Sequence, residues 1–95
     1  MDARQQLAAA LEEVLAGKRD LAKLLDGLPF SDVLDNCMHL WHFASDGDIR
    51  EKDVTYRNMQ EDEMRKLIKL LRSDVPINTL RQVHFLGPSE IQMPP

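Results

Sequence analysis

Leu7, Leu11, Val14, Lys18, Leu21, Leu25 and Leu28 recur at alternating spacings of four and three residues. This seam constrains the chain more than any other feature. An α-helix gathers such positions on one face, whereas a strand would scatter them over two. The residues between them are mostly Ala, Glu and Lys, strong helix formers. One long helix is therefore expected from Asp2 to about Asp26, running through Gly17 because the seam keeps its phase there. Leu15 and Leu24 widen its apolar face. If two copies pair as in a coiled coil, Leu7, Leu11, Val14, Lys18, Leu21 and Leu25 are the dimer contact. Packing on the chain's own core is the plainer use of the same face.

Punctuation divides the rest. Gly27-Leu28-Pro29-Phe30 is a break, and Ser31 or Asp32 can cap a second helix reaching Ser45. At about 100° per residue, Val33, Leu34, Cys37, Met38, Leu40, Trp41 and Ala44 form its inner face. Asp35, His39, His42 and Asp46 form a narrow arc opposite, and Phe43 is the exception outside the apolar face. Residues 46–52 read as a charged loop. Asp53 or Thr55 caps a third helix to Arg72, with Tyr56, Met59, Met64, Leu67, Ile68, Leu70 and Leu71 on one side. Glu61–Arg65 and Asp62–Lys66 have the favourable acid-first spacing. Gln60 and Glu63 fall inside the apolar arc and must meet polar partners there. Pro76 suits the start of a short fourth helix, Ile77 to Phe85, with Ile77, Leu80 and His84 inward.

The expected fold is all-α: a small irregular bundle of three longer helices and one short C-terminal helix, a single domain over residues 1–88. Residues 89–95, with Ile91 and Met93, are expected to form a flexible tail. The expected core is Leu11, Val14, Leu21, Leu25, Leu34, Met38, Trp41, Tyr56, Leu67, Ile68, Leu71 and Leu80. Trp41 is its pivot, and truncating it should cost about 3–5 kcal/mol.

Composition enters as a filter on function. Among 95 residues, 12 Lys and Arg face 16 Asp and Glu, a net charge of −4. Nucleic-acid binders normally carry the opposite excess. No apolar run approaches the roughly 18 residues of a membrane span, and the start of the sequence lacks a secretory pattern, so a cytoplasmic setting is expected. The charge is uneven: residues 1–53 hold 6 cations and 11 acids, hence −5, and residues 54–95 hold 6 and 5, hence +1.

Catalytic patterns are thin. No phosphate loop, nucleophile elbow or metalloprotease pattern occurs, so a non-enzymatic role without cofactor is expected. Cys37 points away from His39 and His42 and reads as a small buried apolar residue. His39 and His42, flanked by Asp35 and Asp46, supply two imidazoles one turn apart, too few ligands for a metal without help from Glu63 or His84. A calcium loop starting at Asp46 fails, with Arg50 at the fifth position, Glu51 in place of the glycine and Arg57 in place of the closing Glu. Residues 65–86 form an alternative, a helix-turn-helix DNA reader, but Arg81 is its only cation on the second helix.

The leading expectation is a small acidic helical protein-interaction module that regulates or inhibits a partner protein, of antagonist, anti-activator or immunity type, with a homodimer as the form the seam would allow. Its expected partner-binding residues are Asp35, His39, His42, Phe43, Asp46 and Asp48, facing a protein with a basic surface.

Overall fold

The structure, a computed structural model, describes residues 2–27 and 32–85. Leu28 of the seam, the break at 28–30, the Ser31 cap and the tail beyond Phe85 lie outside the described residues. The described chain is all-α: α1 (Ala3–Leu15), α2 (Leu21–Gly27), α3 (Asp32–Asp35), α4 (Leu40–Ser45), α5 (Gly47–Lys52), α6 (Val54–Leu71) and a 3-10 helix (Ile77–Gln82). No helix among these residues is long and apolar enough to cross a membrane.

The expected long first helix is two helices, and Gly17 is the reason. Its φ of +76° is left-handed. The Gly17 amide donates to the Val14 carbonyl at 3.1 Å and the Lys18 amide to that of Glu13 at 2.9 Å. These two bonds are a Schellman stop, which closes a helix on a residue in this conformation. Asp20 then restarts the chain, its Oδ1 accepting from the Ala22 amide at 2.9 Å. The seam is thereby folded onto itself. Leu7, Leu11, Leu21 and Leu25 are buried in the chain's own core, Val14 packs against it, and Lys18 is exposed. The single long helix expected from the spacing is thus replaced by two, and its leucines are covered within one chain.

α6 runs as its pattern prescribes. Asp53 caps it by accepting from the Tyr56 amide at 3.0 Å, and Met64, Leu67, Ile68, Leu70 and Leu71 are buried against α1. Its acids pair one residue closer than expected: Asp62 with Arg65 at 2.9 Å and Glu63 with Lys66 at 2.7 Å. Arg4 of α1 reaches across to the far end, donating to the carbonyls of Leu70 (2.6 Å), Leu71 (3.2 Å) and Val75 (2.8 Å). Leu70 and Leu71 are among the carbonyls that a helix C-terminus leaves without intrahelical partners, and Val75 lies in the loop that follows. Glu12 and Arg72 form an ion pair beside it.

Residues 32–45 depart most from expectation. Through the turn between α3 and α4 the backbone bonds span three residues: Cys37 to Leu34, Leu40 to Cys37, Trp41 to Met38 and His42 to His39. At three residues per turn, positions i and i+3 eclipse. Cys37, Leu40 and Phe43 therefore form the buried row, and Asp35, Met38 and Trp41 the exposed one. Met38 and Trp41 leave the core list, 54% and 37% exposed, and Phe43 enters it at 5%. Phe43 meets Phe85 edge-on, ring centroids 5.3 Å apart.

The expected charged loop is the helix α5. Asp48 in its first turn and Arg50 and Lys52 in its last match the helix dipole. The expected fourth α-helix is a six-residue 3-10 helix, after which Val83 turns extended. Alternation then buries Val83 and Phe85 and turns His84 outward, not inward.

Candidate functional site

Asp35, Met38, His39, His42 and Arg81 line one shallow groove of about 390 Å³. The turn from α3 into α4 supplies the first four. The 3-10 helix supplies Arg81, held in place by donating to Asn36 Oδ1 at 2.6 Å. Three of the six expected partner-binding residues, Asp35, His39 and His42, are thus gathered. The other three are not.

Phe43 is interior, for the reason given by the three-residue turn. Asp46 is a structural acceptor: its Oδ2 receives the Tyr56 hydroxyl at 2.9 Å and the Gln60 amide nitrogen at 3.0 Å. The same Gln60 nitrogen also lies 3.0 Å from the Phe85 carbonyl, and Gln60 Oε1 accepts from Arg50 at 2.7 Å. This node supplies the polar partner that a fully buried Gln60 requires. It pins α4, α5 and the segment ending at Phe85 to α6. Tyr56, expected in the core, keeps its hydroxyl in this node and is only half-buried. Asp48 is exposed on α5, away from the groove lining.

His39 is the groove's fixed element. Nε2 lies 2.8 Å from the Leu80 carbonyl, which can only accept, so Nε2 carries the proton. Nδ1 is buried with no hydrogen-bond partner, and the ring stands edge-on to Phe85 at 5.6 Å. Burial pushes the His39 pKa below its ordinary value of 6.5; the nearby His42 and His84 push the same way, against the Leu80 bond. The imidazole is a neutral strut. Cys37 is fully buried, and burial pushes its thiol up to about 12, far from the thiolate that reactivity needs. Among the described residues no three His, Cys, Asp or Glu side chains are placed to hold a metal ion.

Met38 and Trp41 are the site residues that the sequence reading missed. Their signal lay in the misfit of Phe43: a 100° wheel excludes it, while a spacing of three from Cys37 and Leu40 includes it and turns Met38 and Trp41 out.

No protein family, curated protein or solved structure matches the chain.

Proposed function

We propose that this chain is a non-enzymatic interaction module that regulates a partner protein by covering part of its surface. The observation carrying the reading is the exposed row Asp35–Met38–Trp41. The chain's single tryptophan and a flexible thioether stand in solvent beside a groove edged by charge. Tryptophan is among the residues that most often anchor interfaces, and polar surroundings that exclude water strengthen such an anchor. Methionine adapts to irregular apolar surfaces. Asp35 begins this row, and Asp32, also exposed on α3, lies one step before it. They favour a partner that frames an apolar pocket with Lys or Arg, and the −5 carried by residues 1–53 adds long-range attraction.

The test is affinity capture from cell extract with wild type and Met38→Ser/Trp41→Ala in parallel. The expected result is a partner retained by wild type and lost by the variant, with the two proteins equally helical. Equal retention by both would refute the row as the contact.

A further inference from the structure

Leu7, Leu11, Leu21 and Leu25 keep one helical phase across a bend through which no helix runs. The closed chain has no use for that register. α1 lies chiefly on α6 and α2 on α4, and two helices with different partners need not share a face. A common phase is required only where residues 3–27 wind as one helix.

Opening the bend disturbs little outside it. Residues 16–20 are all exposed. They hold the Schellman bonds of Gly17 and Lys18, the Asp20 cap and the Glu13–Arg19 pair. Both members of that pair are close to half exposed, and such surface pairs contribute little. Ala16, Lys18 and Arg19 are good helix formers, so winding the segment replaces its turn bonds with helical ones. Gly17 is the poorest former among them and holds wild type towards the closed turn.

α1 itself is bound more firmly. Leu7 and Leu11 are 5% and 0% exposed. Arg4 donates to the carbonyls of Leu70, Leu71 and Val75, and Glu12 pairs with Arg72. A dimer made by setting two seams face to face would have to uncover those leucines. An exchange would not, because the α1 of a second copy meets the same carbonyls, the same arginine and the same apolar face. Exchange of an identical element is for this reason an accessible route to a dimer.

We infer that this chain forms an exchanged homodimer, in which residues 3–27 become one helix and each α1 docks on the α6 of the other copy. Residues 16–20 are the hinge, and the left-handed Gly17 sets how far the closed monomer is favoured. The exchange uses neither Met38 nor Trp41 and stands if the partner contact proposed above fails.

The test compares the whole chain with Gly17→Ala and Gly17→Asn by sedimentation over a range of concentrations. A left-handed alanine disfavours each closed hinge by at least about fivefold, so a dimer with two opened hinges should associate at least about 25-fold more tightly. Asparagine tolerates the left-handed conformation and should gain far less. In dilute solution Gly17→Ala remains a closed monomer carrying the penalty. The exchange itself is read from Gly17→Ala/Glu12→Arg and Gly17→Ala/Arg72→Glu, refolded together. Each of these alone sets like charges against one another wherever its own α1 docks. Only the mixed dimer, with each α1 on the other copy's α6, pairs opposite charges at both contacts. It should form about tenfold more readily than either dimer alone. Four results would each overturn the inference: an unfolded Gly17→Ala chain, a Gly17→Ala chain that associates no more tightly than wild type, a Gly17→Asn chain that matches it, or a mixture that dimerises no better than its components.

Discussion

α6 and the stretch 32–52 are built on different rules. α6 is one helix of 18 residues whose apolar positions follow the 3.6-residue period, capped by Asp53 at one end and by Arg4 at the other. The stretch 32–52 breaks into three segments of six residues or fewer, joined by tighter turns. Regular winding in α6 presents one apolar face, which α1 covers together with α5 and the 3-10 helix. Tight winding between α3 and α4 buries every third residue and turns the large side chains between them outward. The regular region supplies stability, and the irregular one presents Met38 and Trp41. A long helix hides what its period assigns to the core; a chain of short ones can expose an aromatic without losing its own packing.

The sharpest way to break this contrast is to truncate two aromatics in turn: Phe43, three positions after Leu40, and Trp41, three positions after Met38. Phe43→Ala should cost about 3–5 kcal/mol in urea unfolding, as for a buried ring in a packed core. Trp41→Ala should cost at most about 2 kcal/mol, because part of the ring is already in water. If Trp41→Ala were the more damaging, the three-residue winding would be wrong and the uniform helix right.

A smaller effect tests where regularity stops in the first third of the chain. A Cβ at Gly17 would meet nothing within 4 Å, so crowding is absent and only the backbone conformation opposes substitution. Gly17→Ala should cost about 1–2 kcal/mol, the penalty of a left-handed conformation for an L-residue. A stabilising Gly17→Ala would mean that α1 and α2 are one helix after all.

The most graded effect comes from His39, at the junction of the irregular stretch with the 3-10 helix. Its folded pKa is depressed by burial, so above its ordinary value of 6.5 both states are neutral and its contribution is fully present. As pH falls below 6.5 the unfolded chain takes up the proton first, and stability declines until the folded pKa is passed. His42 and His84 oppose its charging, and the Leu80 carbonyl favours it; Asp35 and Arg81 line the same groove. Melting temperatures from pH 7.5 to 5 should fall more in wild type than in His39→Gln. Parallel curves would assign the pH dependence elsewhere.

Much of the regular region was legible in the sequence. The Asp53 cap, the apolar face of α6 and the need of Gln60 and Glu63 for polar partners all follow from spacing. So does the grouping of Asp35, His39 and His42, since four- and three-residue steps nearly coincide over one turn in either winding. What was not legible has a common cause. A seam that keeps its phase across Gly17 looks identical whether the glycine bends the chain or not. A 100° wheel applied to residues 32–45 assumes the winding that the structure replaces. Arg81 arrives at the groove from 45 residues beyond Asn36, a distance over which local pattern carries no information.

The bonds from Arg4 have a consequence in time as well as in space. They join residues 66 to 71 positions apart, so this latch cannot close until nearly the whole described chain exists. Chains are made from the N-terminus, and α1 emerges first. It therefore waits, its leucines uncovered, until α6 has been synthesised and docks against it. Contacts of such separation slow folding compared with a bundle of sequential hairpins. The interval between the two ends is when this chain depends most on whatever shields an apolar helix during synthesis.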